Sequence, residues 1–168
     1  MIRDIINKFG TTLYVQIWEN RIKVSDVMTS KVFDEKPLVE LGASKKNVTP
    51  VVAFGNEAGI NAINPFSHPR VLFSDFNVGE KLLQLIFNKI LGGHFFSPSP
   101  AVVIHPMEKT EGGLTLIEIR AFRELGLGAG ARDVVVYQGK PLHLETINFK
   151  KLSEEHDNQK NSDGSVVA

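Results

Sequence analysis

The 168-residue chain has no cysteine, which excludes a disulfide scaffold, a thiolate metal site and a cysteine nucleophile and fits a reducing compartment. It also lacks an excess of either charge. Nineteen basic residues offset nineteen acidic ones, so no overall field draws the protein to nucleic acid or anionic lipid. Long apolar runs are missing: the longest, such as Leu82 to Phe87, fall far below the roughly 20 residues that span a bilayer. The first nine residues carry Asp4 and no continuous hydrophobic core, so no secretory signal is expected. There are no internal repeats. What remains is the composition of a cytoplasmic globular chain, long enough for one domain with a real core.

The most informative segment runs from Ala101 to Val136: strand, loop, helix, glycine-rich stop, strand. Two β-branched runs enclosing an amphipathic helix are the pattern of a βαβ crossover. Upstream, Leu13, Val15 and Ile17 alternate with Tyr14, Gln16 and Trp18, the period of a strand. A second strand is expected from Arg21 to about Met28, and a third, VFDEKPLVEL, from Val32 to Leu41, with Pro37 restricting it to an edge or a bulge. The run Thr49 to Phe54 can pair with an edge. A short helix is expected from Asn56 to Ile63. The strongest helix follows, with Asn77 and Glu80 as a capping box and Val78, Leu82, Leu85, Ile86, Phe87 and Ile90 as its buried face. Gly92 and Gly93 end it. After the crossover, Val134–Tyr137, the Gln138-Gly139 turn and Pro141–Ile147 read as a hairpin. Ser153 onward is polar and aperiodic, a disordered tail.

Taken in order, these segments resemble the first subdomain of the MreB-type bacterial actins, the rod shape-determining proteins. Asp75-Phe76-Asn77-Val78-Gly79-Glu80 is similar to the family's Asp-Tyr-Asp-Val-Thr-Glu helix start. Val103-Ile104-His105-Pro106, Gly113-Leu114-Thr115, Arg120-Ala121-Phe122-Arg123-Glu124 and Ala129-Gly130-Ala131-Arg132-Asp133 follow the family's Val-Pro, Gly-Ile-Thr, Arg-Ala-Val-Arg-Glu and Ala-Gly-Ala-Arg-Glu in the same sequence. The match covers about Phe9 to Leu142. The resemblance implies an α/β fold: a single actin-like, ribonuclease H-like subdomain whose mixed five-stranded sheet has three antiparallel strands followed by a βαβ unit, with helices packed on it. The domain organisation expected is a short amphipathic helix at 1–9, an actin-like domain at 10–150 and a polar tail at 153–168.

The resemblance would also imply ATP binding and hydrolysis, but the residues that carry those functions in the family do not carry over. Its first strand ends Ile-Asp-Leu-Gly-Thr, with the aspartate serving metal and water and the glycine turn admitting phosphate. Here the aligned run is Val15-Gln16-Ile17-Trp18-Glu19. Gln16 lacks the charge a magnesium site wants, Trp18 removes the glycine turn, and Glu19 sets a carboxylate where a polyphosphate would lie. Gln138 falls where the family has Glu-Glu-Pro-Leu. The expectation is therefore a non-catalytic MreB-like interaction or regulatory module of the cell-shape cytoskeleton, with no cofactor, no metal, no nucleic acid, and a protein partner that is either a second copy or an actin-like filament subunit.

Other candidate residues carry alternatives. Gly126, Gly128 and Gly130 follow a helix rather than a strand, so they read as a helix stop and not as a dinucleotide fingerprint. His105, at the end of the central strand, sits where such sheets hold functional groups, yet no other histidine has ligand spacing to it. Glu108 and Glu111 lie in a loop about five residues longer than the family's turn. They read as a solvated loop or as part of a small ligand-binding or enzymatic site built on His105–Gly113. Ile2, Ile5, Ile6 and Phe9 form one face of an amphipathic helix. That face either touches the inner surface of the cell membrane peripherally, as the resemblance implies, or packs against protein; a helix this short without net charge favours protein.

Overall fold

The computed structural model describes residues 10–72, 74–93 and 98–164. Alternating residues build three antiparallel strands, β1 (Thr12–Ile17), β2 (Ile22–Asp26) and β3 (Val32–Glu35), joined by short turns. A second, two-stranded sheet pairs β4 (Val39–Leu41) with β5 (Val51–Phe54). Helix α1 (Phe76–Leu91) leads to β6 (Ala101–Pro106), which lies parallel to β1, and helix α2 (Leu116–Gly128) crosses over to β7 (Asp133–Val136), parallel to β6. The main sheet has the order β3-β2-β1-β6-β7. This is the mixed five-stranded sheet expected from the sequence, three antiparallel strands plus a βαβ unit.

The pleat of β1 sorts its side chains. Leu13, Val15 and Ile17 join Val102, Ile104, Val134 and Val136 in a core covered by Leu82, Leu83, Ile86 and Ile90 of α1 and Phe122 and Leu125 of α2. The opposite pleat carries Tyr14, Gln16, Val103, His105 and Val135, also buried. An interior strand enclosed on both faces accounts for the unbroken apolar run of β6.

Several boundaries differ from the sequence reading, each for a local reason. The segment Val32–Leu41 is two strands in different sheets. Pro37 has no ladder donor, and Lys36 turns out of the strand, its N–H donating to Asn56 Oδ1 at 3.1 Å. The expected helix at Asn56–Ile63 is only a 3₁₀ turn, Gly55–Glu57. Beyond it, the Glu40 carboxylate takes the Gly59 N–H at 2.9 Å and Ile63 pairs with Val39, which draws the chain into extended form. Helix α1 is capped by Asp75, whose carboxylate accepts the Val78 N–H at 3.1 Å, not by Asn77. Gly92 ends it in the left-handed conformation, as expected.

The expected hairpin after β7 does not form. The Leu142 N–H, which a second strand would need for its ladder, donates to Tyr14 at 3.1 Å, and the chain continues through a 3₁₀ turn, Leu144–Thr146. The segment read as a disordered tail is instead helix α3 (Phe149–Gly164). Asn148 accepts the Lys151 N–H at 3.1 Å, an N-cap, and Phe149, Leu152, Ser153 and His156 are the half-buried positions at i, i+3, i+4 and i+7. Starting the count at Ser153 hides this face, because Phe149 and Leu152 carry it.

Gly126 is no helix stop either; it lies inside α2, buried. A Cβ there would meet Val134 Cγ2 at 2.7 Å and Ile104 Cδ1 at 3.1 Å, so its missing side chain sets how closely α2 approaches the sheet. Gly126→Ala gains about 1 kcal/mol of helix propensity but incurs roughly 1–3 kcal/mol of overpacking against a stiff valine. Urea unfolding should show a net loss of about 1 kcal/mol, restored when Val134→Ala is added; a variant as stable as the parent would contradict this packing.

Candidate functional site

Because β1 and β6 run parallel, their carboxyl ends finish side by side. Ile17 is opposite Pro106, and the Met107 N–H donates to the Ile17 carbonyl at 2.8 Å. The β1–β2 turn and the β6–α2 loop therefore meet at the end of the sheet where α/β proteins hold their ligands.

Glu19 is the centre of that meeting. Its backbone N–H donates to Glu108 Oε2 at 2.9 Å, and its carbonyl accepts from Asn64 Nδ2 at 2.6 Å. Its carboxylate accepts the Ser67 hydroxyl at 3.0 Å and pairs with Lys109 Nζ at 3.3 Å. Each of its polar groups is thus held by another segment, and three loops are joined through one residue. The Ser67 hydrogen bond, then the Lys109 ammonium, hold the Glu19 carboxyl below the usual carboxylate range. Lys109 itself has φ +55°, an uncommon conformation for a residue with a Cβ. It is fixed there by the Glu19 pair and by donation from its ammonium to the His68 carbonyl.

His105, 2% exposed, has both ring nitrogens engaged. The Gly139 carbonyl can only accept, so Nε2 donates to it at 3.1 Å. Nδ1 is then the bare nitrogen and accepts the Tyr14 hydroxyl at 2.7 Å. Tyr14 in turn accepts the Leu142 N–H. The Tyr137 ring stands edge-on to the imidazole at 4.8 Å. Burial pushes the His105 pKa down, the Gly139 carbonyl opposing it, and burial raises that of Tyr14. Together they form a neutral clamp that fastens Gly139–Leu142 onto the sheet.

The remaining sequence-selected residues spread around this centre. Gln16 is buried, its amide facing the Met107 sulfur at 3.8 Å. The Trp18 ring lies 4.7 Å from the Arg21 guanidinium, which Asp34 holds bidentately at 2.6 and 2.7 Å. Gln138 Oε1 accepts the Leu114 N–H at 2.8 Å, tying β7 to the β6–α2 loop. Glu108 is drawn into the site by the Glu19 N–H, whereas Glu111 is exposed near the loop's tip. A cavity of about 380 Å³ opens beside His105, Met107, Thr110 and Gln138. Among the described residues no His, Asp and Glu cluster is placed to hold a metal, and no helix is long and apolar enough to cross a membrane. The amphipathic face of Ile2, Ile5, Ile6 and Phe9 lies outside the described residues.

Tyr14, Ser67, Asn64 and Lys109 escaped the sequence reading. Tyr14 and His105 are 91 residues apart, and only the β1–β6 register brings them together. The one available signal is that Tyr14 shares the pleat of Gln16, opposite the core.

No protein-family model matches the chain. It is 37% identical over 134 residues to the cell shape-determining protein MreB of Escherichia coli, covering 77% of this chain and 35% of that protein. It is 32% identical over 117 residues to MreB of Haemophilus influenzae, covering 64% and 32%. The chain therefore spans about a third of the length of these curated relatives. It is also 30% identical over 124 residues to the uncharacterized protein YjaA of Escherichia coli, and here the coverage is mutual, 71% of this chain and 76% of YjaA. Among solved structures, MreB5 of Spiroplasma citri bound to ADP superposes with a TM-score of 0.56 at 16% identity, over 77% of this chain and 38% of that one. At that identity the likeness is one of fold.

Acidification tests both clamps with one sign. His105 is depressed from its ordinary 6.5, so below that pH the unfolded chain takes up a proton that the folded chain refuses. Stability present above 6.5 is lost as the pH falls through the lowered value. Glu19, lowered from 4.5, adds a second decline at more acid pH. Urea midpoints should fall from pH 7 to pH 5.5, and His105→Gln should flatten that slope; an unchanged slope in the variant would contradict a buried neutral imidazole.

Proposed function

We propose, from the premise that this chain belongs to the MreB-like actin family, that it is a non-catalytic interaction module of the cell-shape actin cytoskeleton. It works through protein contacts, with a second copy or an actin-like filament subunit as partner, and turns over no nucleotide.

The observation that carries this reading is the Glu108 carboxylate on the Glu19 N–H. MreB5 of Spiroplasma citri is solved bound to ADP. A nucleotide held at the β1–β2 turn of this fold needs free backbone N–H donors for its phosphates and an anionic oxygen for its metal. Here the donor at Glu19 is taken by a side chain of the same chain, with the charge and acceptor geometry of a phosphate oxygen. The Glu19 carboxylate adds a second negative charge to that turn. Gln16, a neutral amide, stands where the metal's carboxylate would be wanted, and Trp18 fills the turn. The donor set does not fit a magnesium nucleotide.

The cavity beside His105 favours a second reading, a small ligand-binding site. Its occupant would be uncharged, since the lining has no Lys, Arg, Asp or Glu, and His105 would not be its acid or base, because both nitrogens are spent.

Isothermal titration with ATP or ADP and magnesium decides the first reading. No saturable binding is expected up to millimolar nucleotide; micromolar, magnesium-dependent binding would overturn it.

A further inference from the structure

Strand β7 is an edge of the main sheet: β6 pairs with one side of it, and among the described residues no strand pairs with the other. The Tyr137 N–H donates to the Ile104 carbonyl at 2.8 Å, and Val135 stands opposite Val103, so Val135 and Tyr137 turn their backbone groups toward β6. Successive residues of a strand alternate in this, and Val134 and Val136 therefore aim theirs outward. Asp133 guards the amino end of that edge. Its Oδ1 accepts the Val134 N–H at 2.8 Å and pairs with Arg123 at 3.9 Å. Farther along, the N–H and carbonyl of Val136 face outward with no neighbouring strand.

Beside them lies a groove of about 340 Å³. Val135 and Val136, on opposite pleats, form its floor, Leu116 and Ile119 of α2 one wall, and Leu152 and His156 of α3 the other. An edge with outward N–H and C=O groups is a template for another strand, and apolar walls on both sides take the alternate side chains of whatever pairs there. A donor and an acceptor on one residue match a peptide backbone, which offers both at the ladder spacing. The lining has one carboxylate, Glu155, and no Lys or Arg. We infer that the β7 edge binds an extended segment of another protein as a sixth strand, with an apolar side chain between Leu116 and Leu152 and a basic one against Glu155. A second copy is the poorer occupant: its own β7 reads Asp-Val-Val-Val and brings no basic side chain.

The contact is short. Five residues of added strand span about 17 Å, and an interface of that size lies below the roughly 1,200–2,000 Å² buried in stable complexes. Binding is accordingly reversible and weak. This inference goes beyond the interaction role proposed above, and the two fail separately. Nucleotide titration reads the β1–β2 turn, whereas strand addition reads the outer edge of β7, so a chain that ignores both nucleotide and peptide loses only the strand-addition site.

The probe is the blocked peptide acetyl-Lys-Val-Leu-Val-Lys-amide, titrated into the full-length chain labelled with nitrogen-15. The Val136 amide should shift saturably and its hydrogen exchange should slow roughly tenfold, while Val135, already turned to β6, should keep its rate. The same peptide N-methylated at every backbone amide should not bind, because it has no donors for a ladder. Glu155→Lys should raise the dissociation constant roughly fivefold, and acetyl-Glu-Val-Leu-Val-Glu-amide should recover the loss, with melting curves showing that the variant folds. A Val136 amide indifferent to the peptide, binding retained by the N-methylated peptide, or affinity unchanged by Glu155→Lys would each overturn strand addition at this edge. So would a Val136 shift produced by protein concentration alone, which marks β7 pairing with β7 of a second copy.

Discussion

The parallel register between Thr12–Ile17 and Ala101–Pro106 is the constraint on which the rest of the structure depends. It joins the amino-terminal meander to the βαβ unit, and it is bracketed by two further hydrogen bonds, Ala101 N–H to the Thr11 carbonyl and Met107 N–H to the Ile17 carbonyl. A slip by one residue would turn Leu13, Val15 and Ile17 away from α1 and α2 and drive Tyr14 and Gln16 into the apolar core. In the observed register the apolar set faces the helices, and Tyr14 comes within 2.7 Å of His105. The register also brings the β1–β2 turn against the β6–α2 loop, where Glu19 and Glu108 meet.

That meeting carries the proposed function. A turn that is to hold a phosphate has to keep its backbone N–H donors free. Here the Glu19 N–H is engaged by the β6–α2 loop through Glu108, its carbonyl by the Asn64–Ser67 loop, and its carboxylate by both, through Lys109 and Ser67. A surface ion pair such as Glu19–Lys109 contributes little by itself. The linkage gains from sharing one residue, since displacing a partner from either loop loosens the other. The same sheet end is fastened on the other side by the His105, Tyr14 and Leu142 chain. Both fastenings are made by the chain itself.

Much of this was legible in the sequence, because β1, α1 and the β6–α2–β7 unit each carry a strong period and their order matched a known family. Lys36, Gly59 and Leu142 mark where it failed: each gives its backbone N–H to a side chain distant in sequence, Asn56, Glu40 and Tyr14, in place of a ladder or helix partner. Helix α3 was hidden because its apolar residues cluster in its first turn and the rest is polar. At the site, Gln16, Trp18, Glu19 and Gln138 could be picked out by their departure from the family. The role of Glu108 could not, since a loop glutamate looks the same in solvent as on a backbone N–H.

The Glu19 amide is the most direct probe of the self-occupied turn. In a nitrogen-15 correlation spectrum its resonance should stay in place when millimolar magnesium ATP is added and should move on Glu108→Gln, which weakens the acceptor. A Glu19 resonance that shifts with nucleotide in the unaltered chain, or ignores Glu108→Gln, would contradict a turn closed by its own carboxylate.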